Sequence, residues 1–349
     1  MNKHKNAIIL AIESSCDESA ASIVTADPKT GRLQVLSNII SSQIAIHKKY
    51  GGVVPEIAAR EHVLNLLPVI NEALIKARIA PKDLTAIAVT KGPGLITSLI
   101  AGAETARALA FAWKKPLIEV NHIAGHIYAN FINPVTPIKF PAVILTISGG
   151  HTILLIMKKS GKIKIIGETR DDAAGEAYDK ASKMMGLGYP GGPIVSELAA
   201  EYGKKLTNLK LPRPMLNSPD FDFSFSGLKT ALLYELKKDP NWKNRIPEYC
   251  SDYQQAIIDV LIHKTLKAAL KFKTKTVMIS GGVSANNELR AQMAEAVKTK
   301  TKNINFLIPA KDYTTDNAAM IAAAAFYKLK KNKLIDFKKL RVNASLELK

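Results

Sequence analysis

The stretch AVILTISGGHTILLIM, residues 142–157, joins two apolar runs through a polar Ser-Gly-Gly-His turn. Rich in Val, Ile and Leu and bounded by turn residues, the runs predict a buried strand over 142–147 and a partner over 153–157. Residues 7–25, AIILAIESSCDESAASIVT, have the same form, with strands at 7–12 and 20–25 around a polar turn. A third strand follows each pair, near 35–40 and 163–166, and helical patterning then takes over. In the first half this predicts a helix over 58–77 kinked at Pro68, a strand at 86–90, a helix over 95–112, a strand at 117–120 and a short helix carrying His122 and His126. In the second half it predicts a helix over 173–185, an inserted helical region to about 269, a strand at 277–280, a helix from Asn286, a strand at 304–308 and a helix over 316–328.

Three strands, then helix, strand, helix, strand, occurring twice, is the element order of a duplicated ribonuclease-H-like unit. The expected fold is α/β, two similar lobes around a central cleft. We place the first lobe at residues 1–132, completed by the C-terminal segment 320–349, and the second at 133–319 with a helical insertion at about 187–250. A chain of 349 residues, 47% hydrophobic and 23% charged, is too long for one core, which agrees with two domains.

Two cysteines, Cys16 and Cys250, make no disulfide framework, and Glu13 breaks the first apolar run before it can act as a signal segment. A cytoplasmic protein is expected. No uninterrupted apolar stretch approaches the roughly 20 residues of a membrane span. The net charge of +19, with lysines crowding the second half from Lys204 and Lys205 to Lys302 and beyond, favours a polyanionic partner such as nucleic acid. Lysine-rich solvated faces give the same charge.

Three turns after buried strands are candidates for holding phosphate on backbone N–H groups: residues 13–19 (ESSCDES), 148–152 (SGGHT) and 280–286 (SGGVSAN). A lone Ser-Gly-Gly is an ordinary turn, but two at equivalent places in a repeat point to binding. Gly92-Pro93-Gly94 and Gly191-Gly192-Pro193 each precede a helix, where either an anion site or a rigid entry turn fits. No GxxxxGK[ST] loop is present. His122 and His126, at i and i+4, can reach one metal ion from one helix face, or form a structural pair. Their segment HIAGH lacks the glutamate of HExxH, which weakens a protease reading. Asp316, at the start of the last long helix, is a candidate third ligand or a helix-dipole partner. Asp171, Asp172, Glu176, Asp179 and Lys180 suit the capping of the helix that ends near Gly186, with Asp172 and Asp179 on nearly one face.

The strings IESSCDES, KYGGVVPE, KGPGL, VNHIAGH, SGGHT, DDAAGEAYDKASKMMGLGYPGGP, PRPM, FDFSFSGLKT, SGGVSANN and TDNAAMIA occur in that order between about residues 8 and 326. Together they closely resemble the tRNA adenosine threonylcarbamoyltransferase family, once called O-sialoglycoprotein endopeptidases, and SGGHT resembles its bacterial and mitochondrial branch. The resemblance implies the actin-like ATPase superfamily fold and transfer of threonylcarbamoyl from threonylcarbamoyl-AMP to adenosine in tRNAs reading codons that begin with adenine. It implies His122, His126 and Asp316 as ligands of one divalent metal, Fe2+ first and Zn2+ second. It implies Thr146, Ile147, Ser148, Gly149, Gly150, Asp179, Gly192 and Asn286 as substrate-binding positions. Asp17, Glu18 and His151 are the candidate catalytic residues, any one of which could take the proton of the attacking amine. Implied partners are tRNA, a paralogous dimer subunit and a small P-loop ATPase. Departures include Ser14 and Ser19 for threonine, Ala124 for Glu between the histidines, and Ser196 where some relatives have Asp. A small-molecule kinase of the same superfamily and a noncatalytic paralogous scaffold are the alternatives. ESSCDES in place of a DxGxT-like turn argues against the first, and the histidine pair against the second.

Overall fold

A computed structural model describes residues 6–159, 161–203, 207–301 and 303–348; Lys204, Lys205 and Lys302 lie outside the described residues. The chain divides into two compact units, Met1–Val135 with Pro309–Lys349, and Thr136–Ile308.

The first unit holds strands β1 (Ala7–Glu13), β2 (Glu18–Ala26), β3 (Leu33–Ser42), β4 (Ala86–Gly92) and β5 (Leu117–Asn121). They lie in the order β3-β2-β1-β4-β5, antiparallel from β3 to β1 and parallel from β1 to β5. All of β1 but Ile8 is buried, as its unbroken apolar run demands: alternate side chains leave opposite faces, so both faces need a cover. Helices α1 (Ile44–His47), α2 (Pro55–Ala77), α3 (Ile96–Ala112) and α4 (His122–Ala129) belong to this unit. Leu10 and Ile12 share a core with Leu66, Val69 and Ile70 of α2 and Ala103 and Ala106 of α3. The segment around Pro68, where the sequence predicts a kink, continues as one helix. Pro68 is exposed while Leu66, Val69 and Ile70 are buried, so the packed inner face carries α2 across the missing amide donor.

The second unit holds β6 (Ala142–Ile147), β7 (Thr152–Lys159), β8 (Lys162–Glu168), β9 (Thr276–Ser280) and β10 (Asn305–Leu307) in the order β10-β9-β6-β7-β8. Read from its other edge, this is the first sheet again, with the same antiparallel and parallel pairs. The insertion between β8 and β9 supplies α5 (Ala174–Met184), α6 (Gly191–Tyr202), α7 (Ser226–Lys238) and α8 (Ile246–Lys271), and α9 (Asn287–Lys300) joins β9 to β10. Its core gathers Leu145 and Ile147 with Tyr178, Phe223, Phe225, Tyr253 and Ile257.

The last helix, α10 (Ala318–Lys330), returns to the first unit and packs on β1, β2 and α4. Its residues 318–326 are all buried, and their small alanine side chains let the helix lie close to the sheet. Among the described residues no helix is long and apolar enough to cross a membrane.

Candidate active site

Helix α4 opens on Asn121, whose side chain accepts the Ala124 N–H at 3.1 Å, a cap contributing about 1 kcal/mol. This fixes His122 as the first helical residue and His126 one turn on, with their rings 4.6 Å apart. Between them Gly125 meets α10: a Cβ there would come within 2.8 Å of Ile321 and 3.2 Å of Met320. That close approach brings the start of α10 to the histidine pair.

The sequence places Asp316 within the last helix. Instead α10 begins at Ala318 and Asn317 is its cap, accepting the Met320 N–H at 3.0 Å. Asp316 is therefore released from capping, and its Oδ1 stands 3.2 Å from His126 Nε2 and 3.6 Å from His122 Nε2. One donor atom from each of the three residues lies within 4.8 Å of the others, so the group could hold a metal ion. Bonds of about 2.0–2.2 Å put tetrahedral donors roughly 3.4 Å apart, close to the distances seen. The fully buried His126 fits that role in a second way, since among the described residues neither of its ring nitrogens makes a well-formed hydrogen bond, and Nε2 has the Asp316 carboxylate as its ion-pair neighbour at 3.2 Å. A buried imidazole without such a bond is costly unless something else takes its lone pair. Two imidazoles and one carboxylate suit iron or zinc and leave coordination positions open to a substrate.

Behind the pair lies Glu13, fully buried at the end of β1, which the sequence places at the start of the candidate turn 13–19 without linking it to the histidines. Its Oε1 accepts the Ser15 N–H at 2.6 Å and its Oε2 the Thr90 hydroxyl at 2.6 Å. Oε2 also lies 3.3 Å from His122 Nδ1, and Ser15 Oγ lies 3.1 Å from it. An Nδ1–H thus has acceptors behind the ring, and Nε2 is left facing Asp316. A carboxylate behind a ligating imidazole is the usual means of fixing its tautomer and orientation. Burial pushes the Glu13 carboxyl up, but the neighbouring His122 outweighs it and holds the acid below its ordinary value. Burial likewise opposes charge on His122, yet Asp316 and Glu13 raise the imidazole to about 9. The place favours a cation.

The turn after Glu13 carries Cys16, Asp17 and Glu18. Burial, with Asp316 and Asp17 nearby, raises the Glu18 carboxyl well above its usual range, and burial and Asp17 raise the Cys16 thiol. From α2, His62 braces this turn: Nε2 lies 2.9 Å from the Cys16 carbonyl oxygen and Nδ1 2.7 Å from the Ser19 hydroxyl. Helix α3 touches it too, where the Ser14 hydroxyl donates to the Ser98 carbonyl and Gly102 leaves no room for a Cβ.

In the second unit, Thr146 and Ile147 are fully buried, and the Thr146 hydroxyl lies 3.0 Å from that of Ser280. The SGGH turn is closed by the Ser148 N–H donating to the His151 carbonyl at 2.8 Å. The first turn of α5 abuts it: a Cβ on Gly175 would come within 2.6 Å of the Ser148 carbonyl oxygen. By contrast a Cβ at Gly149, Gly150, Gly192 or Gly282 would meet nothing within 4 Å, and none of these has a positive φ. Packing and backbone geometry require no glycine there, whereas at Gly281, with φ +85° and Ile147 at 2.3 Å, both do. Gly92 and Gly94 are also packing glycines, pressed against Asn343 and Ser15, so the entry-turn reading holds for Gly92-Pro93-Gly94.

Asp179 accepts the Gly191 N–H at the start of α6 at 2.7 Å. Asn286 caps α9 by accepting the Leu289 N–H and donates to Gln254 at 2.7 Å and to Ser196 at 3.3 Å. Asp171 does not cap α5, as its place in the sequence suggests. It accepts the Phe225 and Ser226 N–H groups at the start of α7 instead, and these bonds with the Ser224 and Ser226 hydroxyls overcome burial and lower its pKa. Asp172 takes Lys180 at 2.6 Å, and Glu176 takes the same lysine at 2.8 Å.

Comparison with solved structures finds this fold in (R)-2-hydroxyglutaryl-CoA dehydratase component A of Acidaminococcus fermentans, with a TM-score of 0.54 at 15% identity over 94% of this chain and 99% of that one. HypF of T. kodakarensis matches with a TM-score of 0.59 at 14% identity over 97% of this chain and 49% of its own. The fold is that of the actin-like ATPases, as expected. Among curated proteins, the tRNA N6-adenosine threonylcarbamoyltransferase of Syntrophomonas wolfei is 47% identical over 324 residues, 93% of each chain. That of Bacillus subtilis is 49% identical over 326 residues, 93% of this chain and 91% of its own. The family model described as TsaD, tRNA N6-adenosine threonylcarbamoyltransferase, matches residues 34–323. The chain belongs to the tRNA N6-adenosine threonylcarbamoyltransferase family.

Proposed function

We infer that this chain transfers the threonylcarbamoyl group of threonylcarbamoyl-AMP to the exocyclic amine of the adenosine 3′ of the anticodon, in tRNAs reading codons that begin with adenine. Within the family, the observation that carries this reading is the group of His122, His126 and Asp316, built on two buried imidazoles, which a noncatalytic scaffold has no use for.

In the reaction the amine nitrogen bonds to the carbamoyl carbon, the bond from that carbon to the phosphate oxygen breaks, AMP leaves, and the amine loses a proton. Gly149, Gly150 and Gly192 admit the adenylate to within contact of the backbone, and their N–H groups position phosphate and nucleoside oxygens, in a turn that the Ser148 N–H holds closed on the His151 carbonyl. Asp179 and Asn286 hold the neighbouring helix starts that shape this cradle, and Thr146 and Ile147 form its floor. His122, His126 and Asp316 would hold Fe2+ or Zn2+, which supplies Lewis-acid stabilisation of oxygen charge in the transition state. Glu13 and Ser15 keep the His122 ring turned toward that ion's place. The amine's proton passes to a carboxylate of the acidic turn, Glu18 or Asp17. His151 is the alternative acceptor, and loss of the rate step in His151→Gln with normal turnover in Glu18→Gln would select it.

The partners are tRNA, a paralogous subunit and a small P-loop ATPase, in the cytoplasm. An apolar face on α2, with Leu64, Leu67 and Ile75 at 58–67% exposure and Val63 beside them, is the docking surface we assign to the paralogous subunit. The test is incubation of purified protein, with and without these partners, with tRNA and threonylcarbamoyl-AMP, followed by mass spectrometry of the nucleosides. Threonylcarbamoyladenosine with equal AMP release supports the reading. Phosphorylation of a common sugar from labelled ATP, without tRNA modification, would overturn it in favour of a kinase.

A further inference from the structure

We propose that the loop following α1 is a stacking platform for the single-stranded tRNA nucleotides that flank the target adenosine, with Tyr50 as the stacking ring and Lys48 and Lys49 at the phosphates. The proposal rests on the tRNA substrate inferred above.

Tyr50 is 60% exposed and makes no ring contact or side-chain hydrogen bond among the described residues. Tyr50 ends a short 3-10 helix, Lys48–Tyr50, so its exposed ring is carried on ordered backbone. Lys48 and Lys49 are exposed beside it and enter no ion pair among the described residues. The nearest carboxylate along the chain, Glu56, is occupied by Arg60 at 2.6 Å. The tip thus offers a π-face and two unneutralised cations, the pairing used by proteins that grip unpaired nucleotides.

The tip is carried on a fixed base. His47 is fully buried, with Nδ1 accepting the Val54 N–H at 3.3 Å and Nε2 lying 3.1 Å from Gln43 Oε1. Gly51, at φ +68°, and Gly52, at φ +157°, turn the chain back toward α2 with open space around both. The start of the loop is tied to the acidic turn directly, and its end is tied to that turn through α2. The Gln43 N–H donates to the Asp17 carbonyl at 3.0 Å, the Gln43 side-chain amide donates to the Ala58 carbonyl of α2, and His62 of the same helix holds the Cys16 carbonyl. Six residues, four of them in a helical turn, separate Gln43 from Tyr50, so the ring stands within ~20 Å of the Asp17 carbonyl. An adenosine presented to the Asp17–Glu18 turn therefore brings its loop neighbours within range of Tyr50. A protein partner would find an apolar ring here as well, but two unpaired lysines beside it favour RNA.

The test is the dependence of the modification rate on tRNA concentration for wild type, Tyr50→Ala and Tyr50→Phe, in the holoenzyme with any partner subunits that the wild type requires. Loss of one stacked base should raise the KM for tRNA roughly 5- to 100-fold in Tyr50→Ala, leaving the KM for threonylcarbamoyl-AMP, the metal content and the melting temperature unchanged. Tyr50→Phe should stay within about 2-fold of wild type, because stacking needs the ring and not the hydroxyl. An unaltered KM for tRNA in Tyr50→Ala would overturn the proposal, as would weakened partner binding with unaltered tRNA dependence. Failure of wild type itself to modify tRNA would instead remove the reaction assigned above.

Discussion

Glu13, whose link to His122 no sequence pattern shows, makes a sharp demand on experiment. It is 109 residues from His122 along the chain, and no spacing rule links two positions so far apart. The i, i+4 spacing of His122 and His126 is readable because a helix fixes it. The approach of Asp316 is not, because it depends on Gly125 and on Asn317 taking over the cap; its place before the last helix makes it a candidate ligand or a dipole partner, and the family resemblance favours the first. If Glu13 orients His122, Glu13→Gln should bind metal 10–100-fold more weakly in a chelator competition while still folding. Metal affinity equal to wild type would sink that role. The open glycines make the opposite kind of demand. Gly149→Ala meets no atom of the chain within 4 Å and should leave stability unchanged or raise it by under about 1 kcal/mol. The same change should weaken threonylcarbamoyl-AMP at least about 10-fold by placing a methyl where the ligand approaches the backbone. Unchanged affinity by calorimetry would show that the turn does not touch the adenylate.

Strands and the longer helices are readable in the sequence because apolar runs and 3.6-residue patterns reflect burial, and burial here is nearly complete in β1, β6 and α10. The junctions are less readable. The cap that Asp171 provides is 55 residues away from it, at Ser226. Tertiary partners override local signals at such places. Between elements, His62 joins α2 to the acidic turn, and burial holds its imidazole below its ordinary 6.5 although the Cys16 carbonyl favours the charged form. Its folded pKa is depressed, so the folded protein keeps it neutral while the unfolded chain takes up a proton below about pH 6.5. The stability it contributes is present above that pH and is lost as pH falls toward the folded value. Denaturant titrations between pH 7 and 5 should therefore show a shallower acid-side loss in His62→Gln than in wild type. Equal slopes would mean that His62 does not titrate in that window.

At the scale of the molecule, the same five-stranded order in both units is the duplication that the strand–turn–strand repeat announces. The two copies have diverged in chemistry, since the first gathers two imidazoles and a carboxylate that could hold a metal and the second keeps Gly149, Gly150 and Gly192 where packing and backbone geometry require no glycine. A net charge of +19 should make tRNA binding fall steeply with salt while threonylcarbamoyl-AMP binding changes little, and parallel titrations at 50 and 200 mM salt measure both. The central claim is that the buried histidine pair with Asp316 serves threonylcarbamoyl transfer to tRNA. The most direct test is nucleoside mass spectrometry of tRNA modified by wild type and by His126→Ala, each with its metal content measured. Wild type should yield threonylcarbamoyladenosine, and His126→Ala should be a folded protein depleted of metal and at least about 100-fold slower. Full modification by a metal-depleted His126→Ala would contradict it.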